Sequence, residues 1–272
     1  METPTNNGAG RPLALVTGAS SGIGRELAKQ FAEHDFDLVI AAEDEAIADA
    51  ASELEQLGAR VEPVQVDLAQ QSGVDELWER VRGGGRPLAA AALNAGRGAG
   101  GAFATQTRLT DELEIVDLNV RSTVQLAKYV LGDMVGRNEG RVLFTSSIAS
   151  TMPGPFQAVY NASKSFVQSF ALALQNELKD TDVTVTSLMP GPTDTEFFEE
   201  ADMLDTKVGA GDKDDAADVA RDGFEALMSG KGRVVSASLS TKLQGRGSRF
   251  LPDSAKAQMH RSMAEPGSAD DD

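Results

Sequence analysis

The sequence of 272 residues contains no cysteine and only two histidines, His34 and His260. The lack of cysteine excludes disulfide bonds, thiolate metal sites, iron–sulfur clusters and cysteine nucleophiles. Neither histidine has the sequence neighbours that a Ser-His-Asp triad or a histidine-rich metal site requires. We therefore predict that the protein has no metal site and that both histidines lie on the solvated surface.

Positive charge is scarce, because Lys and Arg total 25 against 42 Asp and Glu, which gives a net charge of −17. A surface this negative repels nucleic-acid phosphates and anionic lipids, so we expect neither as a partner. No apolar run approaches the roughly 18 residues of a membrane span. The polar segment Met1–Arg11 lacks the apolar core of a targeting signal, and we predict a cytoplasmic location.

Short apolar runs rich in β-forming residues alternate with longer stretches of helical periodicity. The predicted strands are Leu13–Thr17, Asp37–Ala41, Val61–Val66, Leu88–Leu93, Arg141–Ser146, Val183–Met189 and Arg233–Val235. Helical spacing is found, for example, in Gly22–His34, Asp44–Leu57 and Val74–Val81. This alternation predicts a single α/β domain with a doubly wound parallel sheet of about seven strands, a Rossmann fold with helices on both faces.

The predicted domain covers residues 11–240 and follows a flexible segment at residues 1–10. Residues 241–264 mix basic and apolar side chains, and we interpret them as a helical appendage that packs on a lid or on a neighbouring subunit. Residues 265–272 end in three Asp after Pro, Gly, Ser and Ala, which predicts a disordered acidic tail.

Two predicted helices, Asp111–Val135 and Phe156–Leu178, carry more apolar surface than one contact requires. The second is apolar almost all the way round, so both of its sides must be covered. Either loops cover a central helix, or the outer faces contact another subunit. The second explanation predicts a homodimer or homotetramer through residues 111–135 and 156–178.

A glycine-rich loop follows the first predicted strand and opens directly into a helix. Glycine lets the chain turn tightly, and it lets a pyrophosphate approach the helix N-terminus, where free N–H groups and the helix dipole favour an anion. The strand–loop–helix context therefore predicts nucleotide binding. The loop residues predicted to contact the nucleotide are Thr17, Gly18, Ser20, Ser21, Gly22, Ile23 and Gly24.

Tyr160 and Lys164 are four residues apart on a predicted helix, so they share one face. An ammonium group beside a phenol favours the phenolate and lowers the phenol's pKa from about 10. Ser147, at the end of a predicted strand, adds a hydroxyl group. The three residues together predict an acid–base site.

These motifs resemble those of the short-chain dehydrogenase/reductase family. The resemblance rests on the Thr-Gly-x-x-x-Gly-x-Gly loop, Asn94-Ala95-Gly96, Ser146-Ser147, Asn119, the Tyr160/Lys164 pair and Pro190-Gly191, in matching order over roughly residues 11–240. It implies an NAD(P)-dependent oxidoreductase that interconverts an alcohol and a carbonyl.

The resemblance also implies roles for single residues. Tyr160 would exchange the proton, Ser147 would bind the reacting oxygen, and Lys164 would bind the nicotinamide ribose and lower the pKa of Tyr160. Asn119 would hold a water that relays protons to Lys164. The implied cofactor contacts beyond the glycine-rich loop are Asp67, Leu68, Asn94, Ala95, Gly96, Tyr160, Lys164, Pro190, Gly191, Thr193 and Thr195. Leu93 departs from the family, many members of which have a second Asn there.

The end of the second predicted strand indicates which dinucleotide is bound. A ribose 2′-hydroxyl prefers a carboxylate partner, whereas a 2′-phosphate needs Arg or Lys. Glu43 stands where NADP-preferring relatives commonly have Arg, so we predict NAD(H) as the preferred cofactor. Arg25 is close enough in sequence to the loop to reach a phosphate, which leaves NADP(H) open.

The sequence says less about the substrate. A lid is predicted at residues 192–212, with Phe197, Phe198, Met203 and Leu204, and Met152–Phe156 is predicted to flank the pocket. These apolar side chains either contact an uncharged, partly apolar substrate or fold the lid onto the body. Two other functions compete: a dinucleotide-binding sensor or scaffold without turnover, and a nucleotide-sugar epimerase or dehydratase, whose substrate domain is longer.

Overall fold

The computed structural model describes residues 10–236 and 251–270. Seven parallel strands form one sheet in the order β3-β2-β1-β4-β5-β6-β7. Their bounds are β1 Leu13–Thr17, β2 Asp37–Ala42, β3 Val61–Gln65, β4 Leu88–Leu93, β5 Gly140–Thr145, β6 Val183–Pro190 and β7 Arg233–Ser236. The predicted doubly wound parallel fold is confirmed.

Helices cover both faces of this sheet. Those within the described residues are α1 Gly22–Glu33, α2 Ile47–Gln56, α3 Gln71–Gly83, α4 Leu109–Ile115, α5 Thr123–Arg137, α6 Ala158–Glu177, α7 Phe197–Glu200, α8 Lys207–Ala210, α9 Ala216–Met228 and α10 Asp253–Ala264. Among them, none has the length and apolar character needed to cross a membrane.

Two apolar cores lie on opposite sides of the sheet. On one side Trp78 of α3 and Met134 of α5 pack against the strands, together with α6. On the other side Phe31, Leu54 and Phe224 represent α1, α2 and α9. The central strands β1 and β2 are buried along their whole length, which explains their continuous runs of Leu, Val, Ile and Ala.

The strand order reverses next to β1, which pairs with β2 on one side and β4 on the other. In open α/β sheets this reversal creates a crevice outside the carboxyl ends of the strands. The loops after β1, β4, β5 and β6 therefore meet at one edge of the sheet.

The predicted helix at residues 111–135 has a more complex form. Leu109–Ile115 and Thr123–Arg137 are α-helical, and Val116–Ser122 between them is a π-helix. A π-turn inserts extra residues into a helix and is frequent at functional sites. Here it contains Asn119, which is almost fully buried.

The C-terminal region packs on the segment after β6. Helix α10 places Ala264 in a small apolar cluster with Phe198 and Met203. The prediction of a disordered tail from residue 265 is wrong for the described part: Ser268–Asp270 form a 3₁₀ turn, and the Ala269 amide donates to the Asp205 carbonyl at 3.0 Å. Hydrogen bonds to Asp205, which is distant in sequence, hold these residues in place, and the composition of the tail does not predict such contacts. Of the predicted flexible segment only Gly10 is described, and residues 241–250 and 271–272 lie outside the described residues.

Candidate active site

A cavity of about 970 Å³ lies at the carboxyl edge of the sheet. Nearly all the site residues predicted from the sequence line it. They are Gly18, Ser20, Ser21, Gly22, Ile23, Gly24, Glu43, Asp67, Leu68, Asn94, Ala95, Gly96, Ser147, Tyr160, Lys164, Pro190, Gly191, Thr193 and Thr195. Thr17 and Asn119 do not line it, and their positions are described below.

The glycine-rich loop needs its glycines for two separate reasons. Gly18 and Gly22 have φ of +65° and +51°, a region that side chains disfavour. Gly24 is inside α1, and a Cβ there would lie 1.8 Å from the Gly18 carbonyl oxygen. The side chain of the N-cap residue Ser21 accepts no hydrogen bond from the first turn of α1, so the N–H groups there remain available to an anion in the cavity.

Thr17 is not among the residues that line the cavity, and its hydroxyl group supports the glycine-rich loop, so its contact with the nucleotide stays a prediction. Its hydroxyl accepts hydrogen bonds from the amides of Asn94 at 3.0 Å and Ala95 at 3.1 Å. Asn94 in turn accepts a hydrogen bond from the Thr145 hydroxyl at 2.9 Å. These bonds tie together the carboxyl ends of β1, β4 and β5.

Tyr160, Ser147 and Lys164 converge in the cavity. Tyr160 and Ser147 both line it, and the Ser147 hydroxyl has a lowering effect on the pKa of Tyr160. Ser147 also accepts a bond from the Ala149 amide at 3.1 Å, so it caps the 3₁₀ turn Ile148–Thr151 as well. The Lys164 Nζ lies 5.9 Å from the centre of the Tyr160 ring. The neighbouring Ser146 also lines the cavity, but its hydroxyl donates to the Lys164 carbonyl oxygen at 3.0 Å.

Burial has the largest effect on the pKa values of Tyr160 and Lys164. It raises the pKa of Tyr160 to about 12, against a smaller lowering by the Ser147 hydroxyl. Burial also lowers the pKa of Lys164 to about 8. The prediction that Lys164 lowers the pKa of Tyr160 is therefore wrong. Desolvation disfavours the charged form of both side chains, and its effect on the pKa of Tyr160 is larger than that of the nearby ammonium group.

Asn119 lies beside Lys164 but its side chain is occupied. The amide accepts a bond from the Arg97 N–H at 3.0 Å, and donates to the Arg97 carbonyl and the Ser163 hydroxyl, each at 2.9 Å. A Cβ on Gly96 would lie 3.0 Å from the Lys164 Nζ and 3.1 Å from the Asn119 Oδ1. The side chain thus fixes the loop after β4, and a water-holding role for it remains a prediction.

Comparison with known proteins agrees with this geometry. The model of the short chain dehydrogenase family matches residues 12–204. The chain belongs to this family. A curated relative, sulfoacetaldehyde reductase 2 of Chromohalobacter salexigens, is 33% identical over 190 residues, which cover 68% of this chain and 74% of the relative.

Solved structures of the family superpose closely on this dehydrogenase. One from Burkholderia phymatum, in complex with NAD, has a TM-score of 0.80 and 26% identity, and covers 87% of this chain and 92% of its own. One from Sphingobium yanoikuyae, in complex with NADPH, has a TM-score of 0.75 and 26% identity, with coverages of 89% and 96%. The family resemblance predicted from the motifs is confirmed.

One end of the cavity of this dehydrogenase is acidic. Glu43 and Asp44 line it after β2. Asp44 accepts hydrogen bonds from the Ser20 hydroxyl at 2.7 Å and the Ala46 amide at 3.0 Å. Arg25 forms an ion pair with Glu53 at 2.6 Å, so its guanidinium is already engaged.

The segment after β6, where a lid is predicted, lines the other end. Phe197 and Phe198 line the cavity, whereas Met203 is fully buried and Leu204 is 56% exposed. A Cβ on Gly100 would lie 2.4 Å from the Met203 Cγ. The two phenylalanines therefore line the cavity, where a substrate could contact them. Met203 instead packs this segment against the loop at Gly100.

Sequence reasoning missed the contribution of α10. Met259, His260 and Met263 line the cavity, and His260 is 6% exposed. The prediction that His260 is a solvated surface residue is wrong, whereas His34 is exposed as expected. The spacing of Met259 and Met263 indicates a shared helix face, but it does not indicate which part of the protein that face contacts.

Proposed function

We propose that this protein is an NAD(P)-dependent oxidoreductase that interconverts a secondary alcohol and a carbonyl, with Tyr160 as the general acid and base. The observation that carries the proposal is the convergence of Tyr160, Ser147 and Lys164 in one cavity with the glycine-rich loop. The family supplies independent support, since its solved members include complexes with NAD and with NADPH.

The cavity has the features that a dinucleotide needs. The amides at the start of α1 would bind the pyrophosphate, and Asp67 and Leu68 would contact the adenine. A Cβ on Gly22 would lie 2.9 Å from the Thr195 Cγ2, so glycine keeps open the space between the loop and the segment after β6. Bound NAD(P) supplies the hydride acceptor or donor.

The chain's own residues move the proton. Because burial raises the pKa of Tyr160 to about 12, its phenol stays protonated at neutral pH and can donate to a carbonyl oxygen. In the proposed mechanism the Ser147 hydroxyl binds the same oxygen as negative charge develops on it. The Lys164 ammonium, which donates to the Thr145 carbonyl at 3.0 Å, is held beside Gly96 and the ring of Tyr160.

Turnover assays test the proposed reaction. The purified protein should oxidise NADH or NADPH in the presence of some members of a panel of ketones and aldehydes, followed by the absorbance of the reduced nicotinamide. Calorimetric binding of a dinucleotide without turnover on any member would instead favour the sensor or scaffold function.

The acidic end of the cavity supports NAD(H) as the preferred cofactor. Glu43 would repel a 2′-phosphate and accept a bond from a 2′-hydroxyl. We predict that kcat/KM for NADH exceeds that for NADPH by at least about tenfold, which corresponds to about 1.4 kcal/mol. Steady-state kinetics with both cofactors on one carbonyl substrate measures the ratio.

A pair of neighbouring variants tests the cause of that preference. E43Q removes the charge that lines the cavity and should improve the use of NADPH. E45Q removes a charge from an exposed residue that does not line the cavity, and it should leave the ratio unchanged. A wild-type preference for NADPH, or equal effects of the two variants, would contradict the prediction.

The outer faces of α4, α5 and α6 support a homodimer or homotetramer. Leu109 and Leu113 are 69% and 53% exposed, and Phe166 is 40% exposed. A second, apolar hollow of about 390 Å³ lies between Val116 of the π-turn and Val159 of α6. Apolar surface of this extent marks an interaction site, and we infer that a second copy of the chain covers it.

The mass in solution tests this inference. Sedimentation velocity should give two or four times the monomer mass of 28.6 kDa. L113D should shift the protein toward the monomer, whereas L57D, at a comparably exposed leucine after α2, should not. A monomeric wild-type protein at micromolar concentration would refute the inference.

A further inference from the structure

His260 lies in the cavity wall, where α10 and the loop before α6 fix its position. Helix α10 supplies the residue, and its Nδ1 lies 3.1 Å from the carbonyl oxygen of Pro155 in the loop before α6. A carbonyl oxygen only accepts hydrogen bonds, so Nδ1 must carry a proton. The ring is therefore fixed in one tautomer and one orientation.

The second ring nitrogen of His260, Nε2, differs from Nδ1 in its protonation and in its hydrogen bonding. Burial lowers the pKa of His260, against a smaller raising by the Pro155 carbonyl, so the imidazole is neutral at pH 7. In a neutral ring with Nδ1 protonated, Nε2 has a lone pair and accepts a hydrogen bond. Among residues 10–236 and 251–270, none forms a hydrogen bond to Nε2 that would use this lone pair.

His260 lies on the Tyr160 side of the cavity. Pro155 is in the loop that leads into α6, and Tyr160 is in the first turn of that helix. The Phe197 ring lies 5.1 Å from the Tyr160 ring and 5.4 Å from the Phe198 ring, which belongs to the cluster with Ala264 of α10. Tyr160 and His260 therefore lie in the same part of the cavity, with the rings of Phe197 and Phe198 beside them.

Of the charged residues that line the cavity near the segment after β6, Arg97 forms an ion pair with Glu114 at 2.5 Å, and Glu196 and Glu200 are acidic. Met152, Val208, Met259 and Met263 contribute apolar walls. The nearby guanidinium of Arg261 stacks on Phe156 and forms an ion pair with Glu265 at 2.6 Å. A neutral imidazole with a free lone pair repels a carboxylate and binds a hydroxyl.

We propose that His260 determines substrate specificity by accepting, through Nε2, a hydrogen bond from a second hydroxyl group of the substrate. The substrate class is then an uncharged hydroxyketone with an apolar chain, or the corresponding diol in the reverse direction. This inference rests on the proposed oxidoreductase function, and it adds a recognition element that lies outside the residues that resemble family motifs.

Matched substrate pairs test the proposal. The probes are 2-ketones with a terminal hydroxyl, at several chain lengths, each paired with the alkyl ketone in which a methyl group replaces the hydroxyl. A site built around a buried hydrogen-bonding group discriminates strongly against an analogue that lacks the partner. The wild type should prefer the best hydroxyketone by at least about tenfold in kcat/KM, mainly through KM.

Variants connect that preference to His260. H260L should reduce the preference to within about twofold, and H260Q, which retains an acceptor oxygen, should restore part of it. H34L, at the exposed histidine, is the matched control and should behave as the wild type. The Kd for NADH should be unchanged in all three variants, which verifies that each one folds.

The outcomes separate this proposal from the function on which it rests. No turnover of any ketone by the wild type would refute the proposed function, and the His260 proposal would fall with it. Turnover of ketones without a preference for hydroxyketones would overturn only the His260 proposal. A preference that survives in H260L, with NADH binding intact, would also overturn it.

Discussion

The Y160F variant is expected to lose between about 10²- and 10⁴-fold in kcat/KM for the carbonyl substrate. Its ring keeps the shape and packing of tyrosine, including the contact with Phe197, but has no proton to donate. Because the removed hydroxyl acts on the reacting oxygen, kcat should fall while the Kd for NADH changes little. Steady-state kinetics and fluorescence titration of NADH measure the two quantities.

The protein provides its own control, since its only other tyrosine is Tyr129. The Tyr129 hydroxyl donates to Asp75 at 2.8 Å, and its ring stacks on Trp78 away from the cavity. Y129F should lose about 1 kcal/mol of stability through that hydrogen bond and keep its activity. If Y160F retained activity within tenfold of the wild type, Tyr160 would not be the general acid.

The sequence predicts the fold and most of the cavity because those features depend on local patterns. Continuous apolar runs such as Leu38–Ala42 in β2 specify buried parallel strands, and three glycines in one loop specify close backbone approach. The carboxyl ends of parallel strands then meet at one edge without further information. For this reason residues as distant as Gly18 and Thr195 were predicted together.

The errors share a different cause, since each depends on contacts that local pattern does not encode. The polar sequence around His260 predicts a solvated side chain. Helix α10 packs on the segment after β6, however, and His260 is buried beside Pro155. The pKa of Tyr160 was predicted to be lowered by Lys164 because spacing reports proximity and not desolvation.

Lys164 presents a conflict between stability and activity that leads to the other large prediction. The side chain is 5% exposed, and within the described residues the Thr145 carbonyl is its hydrogen-bond partner. A buried ammonium with one such acceptor is poorly compensated, which agrees with a pKa lowered from 10.5 to about 8. That difference corresponds to about 3 kcal/mol of destabilisation while the folded and unfolded chains are both protonated.

The destabilisation by Lys164 depends on pH, because the pKa of this lysine is lower in the folded chain than in the unfolded chain. Below pH 8 the folded protein holds the buried charge, and the destabilisation is fully present. Between pH 8 and about 10.5 the folded lysine loses its proton more readily than the unfolded one, so the destabilisation shrinks and then disappears. Stability contributed by this residue should therefore rise with pH across that window.

We expect K164M, which keeps the length of the side chain without its charge, to be more stable than the wild type by about 2–3 kcal/mol at pH 7, in protein freed of dinucleotide. The two proteins should converge as the pH approaches 10.5. The same variant should lose about 10²- to 10³-fold in kcat/KM, because the ammonium beside Tyr160 is gone. Urea unfolding at several pH values and steady-state kinetics measure both effects.

The exposed Lys179, just after α6, provides the control. K179M should change stability by no more than about 0.5 kcal/mol and leave activity intact, because a solvated ammonium is not desolvated on folding. A less stable K164M would mean that Lys164 contributes to folding and that its burial is compensated. A more stable but fully active K164M would separate the charge from catalysis, and the proposed role of Lys164 would then be wrong even if Tyr160 proved essential.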